Sequence, residues 1–139
     1  MKKSALLFNT VIAALISTSV FSMGALAEDS SNDGMTLSDG IYTAEQAVAG
    51  KPLFEQNCSA CHNADFYKTT LNSYNGQPLL YMFESIMAGM PADKPGTLMD
   101  NEYENILAHI FELVGFPAGE QRLTYAGDTM KNTKVVRAP

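Results

Sequence analysis

The chain of 139 residues has no tryptophan, two cysteines and two histidines. Two thiols close one disulfide at most. With two histidines beside them, a four-ligand zinc site would need every cysteine and histidine in the chain. Basic residues are scarce too: nine Lys and Arg stand against fifteen Asp and Glu, for a net charge of −6. A chain this acidic lacks the basic face that phosphate contacts require, so nucleic acid is not an expected partner. No segment alternates convincingly as a strand would, and there is no internal repeat. The length allows one ordinary domain.

Long apolar runs are missing except at the start. Ala5 to Phe21 is mostly apolar and uncharged. Lys2 and Lys3 precede it, and Ala25-Leu26-Ala27 then offers a small-x-small cleavage site ahead of Glu28-Asp29. This is the layout of a secretory signal peptide over residues 1–27. An uncleaved membrane anchor fits less well, because Ser, Thr and Asn dilute the run and the cleavage site is clear. Cleavage leaves seven basic and fifteen acidic residues, a net of −8. An acidic surface of this kind can steer a protein toward a positively charged partner.

Residues 28–40 are small, acidic and rich in Ser and Gly, too poor in apolar groups to order themselves, and a flexible leader is expected there. A helix is expected from Thr43, where Thr43-Ala-Glu-Gln46 fits a capping box. Ala47, Gly50 and Phe54 then recur at helical spacing. Pro52 requires a kink there or a break into two pieces. Residues 63–78 read as loop with room for one short helix. Leu79 to Met87 reads as a helix stopped at Gly89 and Pro91. Asp100 or Asn101 would cap a further helix with Tyr103, Ile106, Leu107, Ile110, Leu113 and Val114 on one face. Gly115 and Pro117 end it. Residues 124–139 read as an irregular tail behind a domain spanning 41–123. The expected class is all-α.

The chemistry is concentrated in Cys58-Ser59-Ala60-Cys61-His62, a C-x-x-C-H haem-attachment signature. Residues three apart in a helical turn are neighbours on one face. Thiols so placed reach the two vinyl groups of one haem and form thioethers. The next residue, His62, comes under the iron as proximal ligand. A thioredoxin-like reading of the two cysteines would want a βαβ context, and none is visible. A zinc reading has only His109 as a further N or S donor outside the motif. One covalently attached haem c is therefore expected.

For the sixth iron position, a Met paired with a His is one of the ways to build an electron-transfer haem. Four methionines lie between the motif and the third main helix: Met82, Met87, Met90 and Met99. Met82 and Met87 sit on a helix face and read as packing. Met90 stands past the helix stop and before Pro91, which restricts its backbone to extended values. Met90 is the preferred sixth ligand, with Met87 and Met99 as rivals and His109 a remote one. His109, beside the apolar face of its helix, reads as packing.

With these residues in view, the chain resembles a bacterial class I cytochrome c over roughly residues 41–123. The stretches that carry the resemblance are Gly50-Lys-Pro-Leu-Phe54 before the haem motif, Met90 through Leu98, Glu102 through Ile110, and Gly115-Phe-Pro-Ala-Gly119. The last three are similar to small periplasmic cytochromes c associated with quinoprotein dehydrogenases. The resemblance implies a class I fold of three main helices around one covalently bound haem. It implies Cys58, Cys61 and His62 as the attachment residues and Met90 as the axial methionine, so that His62 and Met90 hold the metal. It further implies that the first and last of the three main helices cross, with Gly50 and Phe54 against residues 103–114.

The implied activity is one-electron transfer without enzymatic bond chemistry. It would run between periplasmic redox partner proteins, such as a quinoprotein dehydrogenase and a terminal oxidase. The alternatives are a haem subunit of a dehydrogenase complex and a ligand-binding or peroxidatic haem protein with a labile sixth site. A periplasmic monomer is expected, with no stable membrane insertion after cleavage. Four departures from the family stand out. His109 stands where an aromatic residue is frequent. Asn63 occupies a place where Gly is frequent. Tyr74 stands near where a Trp is common. No Pro between His62 and Tyr74 supplies the carbonyl that would accept the proximal imidazole N–H.

Overall fold

The computed structural model describes residues 34–139. The expected signal peptide, residues 1–27, and the start of the leader lie outside the described residues. The described part is helical: α1 Ala44–Asn57, α2 Ala64–Tyr74, α3 Leu79–Gly89, α4 Asp100–Val114 and a short α5 Thr129–Asn132, after a 3-10 turn at Leu37–Asp39. Among the described residues there is no strand, only two isolated bridges at Lys134. The all-α expectation is met, and no helix among the described residues is long and apolar enough to cross a membrane.

Helix α1 starts as its sequence dictates. The Thr43 hydroxyl accepts from the Gln46 N–H, and the Gln46 carbonyl oxygen accepts from the Thr43 N–H, both at 3.3 Å. The same Gln46 side chain is buried, and it also accepts from the Leu123 N–H and donates to the Leu123 carbonyl, each at 2.8 Å. A capping residue thereby ties the far end of the domain to the first helix. Pro52 neither breaks nor divides α1, which runs through it. The N–H that Pro52 lacks would have met the carbonyl of Val48. Val48 is 69% exposed, so the gap lies on the solvent side of α1.

Helix α4 is the core element. Tyr103, Ile106, Leu107, Ala108, Ile110, Phe111 and Val114 are all buried. It begins one residue before the expected cap: Met99 is the N-cap, and the Glu102 carboxylate accepts from the Met99 N–H at 2.8 Å. Asp100 is instead a first-turn residue, where its charge suits the positive end of the helix. Leu113, expected inside, is 40% exposed. It continues the stripe of Ile106 and Ile110 past the point where other elements cover that face. Gly115 closes the helix at φ +99°, with its own N–H and that of Phe116 returning to the Phe111 carbonyl.

Helices α1 and α4 cross in direct backbone contact. A methyl group on Gly50 would overlap the carbonyl of Asn105, so only glycine permits this approach. Phe54 lies one turn further along α1 and meets the His109 ring edge-on at 5.3 Å. The crossing implied by Gly50 and Phe54 is present.

Two segments differ from their local reading. Residues 63–78 hold a three-turn helix, α2, rather than mostly loop. Its apolar pattern is sparse, Tyr67, Leu71 and Tyr74, but Tyr67 and Leu71 are buried. The end of the leader and the tail are ordered by each other. Leu37 is fully buried, and the Lys134 N–H donates to the Met35 carbonyl at 2.7 Å. Thr133 and Val135 bond to the backbone of residues 76–79, and Met130 and Val135 are fully buried. Composition alone reads residues 34–40 as flexible because their partners come from the other end of the chain.

Candidate functional site

The C-x-x-C-H motif is the turn by which α1 ends. The Cys58 and Ser59 N–H groups both donate to the Phe54 carbonyl, at 2.8 and 3.0 Å. The Cys61 and His62 N–H groups then both donate to the Cys58 carbonyl, at 3.1 and 3.0 Å. The motif is thus wound into a tight turn with Cys58 at its centre. Asn63 follows in an extended conformation, φ −122°. It needs no left-handed angle, because its side chain caps α2 by accepting from the Phe66 N–H at 2.9 Å. That is the reason for Asn where Gly is frequent.

Beside this turn lies a cleft of about 630 Å³, partly open to solvent. Cys58 and His62 reach it from the motif and Phe66, Tyr67, Thr70 and Tyr74 from α2. Met82, Ser85 and Ile86 line it from α3, Met90 from the end of α3, and Ile106 and Ile110 from α4. Cys61 is exposed at the surface of the same turn. Of the four methionines weighed for the sixth position, Met82 and Met90 line the cleft. Met87 is half-buried elsewhere, and Met99 is 63% exposed. His109 does not line it either. His109 is packed on Phe54, with its Nδ1 3.5 Å from Glu112 Oε2.

The surroundings of His62 are aromatic. Its ring stacks on Phe66 at 4.1 Å between centroids, inclined by 30°, and meets Tyr67 edge-on at 5.7 Å. Its Nδ1 is buried and has no hydrogen-bond partner. No carbonyl takes the place of the one that a proline would supply, and ring contacts hold the imidazole instead. Phe66 and Tyr67 were not evident as site residues from the sequence. The available signal was their position four and five residues after His62, one turn into a helix that reads weakly.

Burial pushes the Cys58 thiol above its ordinary range. Burial, with the nearby Cys58 thiol as the smaller cause, pushes the Tyr67 phenol up as well. A raised thiol stays protonated at neutral pH. Redox-active and metal-binding cysteines show the opposite shift. Among the described residues no group of three or more His, Cys, Asp or Glu is placed to hold a metal ion. The donors gathered here are two thiols in one turn, one imidazole and the thioethers of Met82 and Met90, around an apolar cleft. These residues fit a haem, whose macrocycle needs apolar walls and whose iron takes imidazole and thioether ligands.

A family model described as cytochrome c oxidase, cbb3-type, subunit III, matches residues 45–110. The match supports a class I cytochrome c domain. It spans α1, the haem motif, α2, α3, Met90 and most of α4, the elements that build the cleft. No curated protein and no solved structure matches the chain. A cytochrome c domain implies haem c and points to an electron carrier.

Proposed function

We propose that this protein is a periplasmic monohaem c-type cytochrome that carries single electrons. Cys58 and Cys61 would hold the haem through thioethers, and His62 and Met90 would ligate its iron. The observation that carries this reading is the convergence of Cys58, His62 and Met90 on one apolar cleft. When bound, the haem supplies an iron that cycles between the ferrous and ferric states. The chain contributes position and environment. The motif turn sets both thiols and the imidazole within one turn of backbone. Ile86, Ile106 and Ile110 keep water from the cleft interior, which limits solvent reorganisation when charge changes. Phe66 and Tyr67 fix the plane of the His62 ring.

The proposed partners are a periplasmic dehydrogenase, quinoproteins among them, as donor, and a terminal oxidase as acceptor. Transient docking of such partners needs only a small interface. The test is a pair of spectra of the exported protein in both redox states, followed by acid–acetone extraction. Haem that stays with the wild-type protein and washes out of the Cys58→Ser/Cys61→Ser variant supports the attachment. A six-coordinate, low-spin ferric spectrum with the long-wavelength Met–iron band, lost in Met90→Ala, supports the ligation. Complete extraction of haem from the wild type overturns the reading. Rapid carbon monoxide binding to the ferrous protein at neutral pH would favour an open sixth site instead.

A further inference from the structure

Two methionines line the cleft, yet their backbones are held in different ways. Met82 is inside α3 and 1% exposed. Met90 is the residue that caps the end of α3. Three bonds hold its backbone, the first of them the last regular bond of the helix. The Met90 N–H donates to the Ile86 carbonyl at 2.8 Å. The Met90 carbonyl accepts from the Gly96 N–H at 3.3 Å and from the Tyr103 hydroxyl at 2.6 Å. The Tyr103 bond is the shortest of the three, and it alone joins the methionine loop to α4.

Tyr103 is well placed to act as a fixed strut. Its side chain is 2% exposed, and its ring meets Phe83 edge-on at 6.5 Å. Phe83 is fully buried and packs on Tyr125 at 5.1 Å. A ring this deeply buried leaves its hydroxyl little freedom, so the bond to Met90 sets the distance between the loop and α4. Ile106 and Ile110, which line the cleft, stand on the same helix one and two turns further along. The height of Met90 above the cleft is thus referred to the cleft's own wall.

Resting on the reading of Met90 as an axial ligand, we propose that the Tyr103 hydroxyl is the positioning group for that ligand. By holding the Met90 carbonyl, it keeps the thioether directed into the cleft and opposes its displacement by other ligands. Loss of one hydrogen bond at a half-buried carbonyl shifts an equilibrium by about three- to tenfold. The experiment uses exported holoprotein in four forms: wild type, Met90→Ala, Tyr103→Phe and Tyr42→Phe. Tyr42 is the control, because its hydroxyl donates to the Phe116 carbonyl at 2.7 Å, a tyrosine-to-backbone bond more deeply buried than that of Tyr103 and away from the cleft.

The readouts are the ferric Met–iron band and the affinity for added imidazole, which competes for the iron. The expected result is that Tyr103→Phe binds imidazole about three- to tenfold more tightly and loses the band at lower imidazole. Tyr42→Phe, though destabilised, should match the wild type in both. If Tyr103→Phe also matches the wild type while Met90→Ala loses the band, the positioning role is wrong and the ligand reading stands. If Met90→Ala keeps the band, the ligand reading itself fails. Should Tyr103→Phe not accumulate as holoprotein, 3-fluorotyrosine at position 103, a stronger donor of nearly the same shape, decides the matter. Weaker imidazole binding supports the role, and unchanged binding overturns it.

Discussion

The two sides of helix α4 meet their neighbours in opposite ways. Toward α1, the helix is in backbone contact through Gly50, and no space is left even for a methyl group. Toward α2 and the end of α3, Ile106 and Ile110 face a cleft of about 630 Å³. The first side is sealed by shape. The second is lined by side chains from α2, from α3 and from Met90 just past it. Close packing on one side gives α4 a fixed backbone against which the residues on the other side are placed. It also separates the residues that decide stability from those that decide ligation.

Glycine substitutions test that contrast most directly. Gly50→Ala should cost at least about 3 kcal/mol in denaturant unfolding of the holoprotein, since the overlap is with backbone and cannot be relieved by a rotamer change. A tolerated Gly50→Ala would mean that the seam is not sealed and would break the comparison. An intermediate effect belongs to Asn63→Ala at the start of α2. Removing this cap should cost about 1 kcal/mol, measured the same way, while leaving the seam intact. The smallest effect lies at the cleft end of α3. A Cβ on Gly89 would meet nothing within 4 Å. Gly89→Ala should therefore raise stability by about 0.5 kcal/mol through helix propensity and chain entropy. A loss there equal to that at Gly50 would show that both ends of the core are equally tight.

Much of this was legible in the residues themselves. The start of α1, the stop of α3 and the end of α4 rest on local chemistry: the Thr43–Gln46 box, the Gly89 and Pro91 stop, and Gly115 followed by Pro117. The extended backbone of Met90 follows from Pro91 in the same way, and the structure has φ −128° and ψ 152° there. Helix α2 was harder to see because its buried face is two residues wide and its remaining positions are polar. The ordered end of the leader was invisible for another reason. Thr36 and Lys134 pair from opposite ends of the described chain, and no local window contains both.

Several residues changed meaning once the fold was in view. Asn63 turned from a tolerated turn residue into a helix cap. Gln46 turned from a capping residue into a tie between α1 and Leu123. Met82 is both packed and at the cleft wall. His109 stays a packed residue on Phe54, as its place beside an apolar stripe indicated.

The sequence by itself determined the donor set. Two thiols and an imidazole within five residues can only be neighbours, because the spacing is shorter than one and a half helical turns. The tertiary structure alone decided what those donors face and what holds them. Which methionines reach the cleft, which aromatic rings take the place of a missing carbonyl at His62, and which hydroxyl grips Met90 all depend on the packing of separate helices. Such contacts are set by the depth of the α1–α4 crossing and the position of the loop after α3, and no local pattern encodes either.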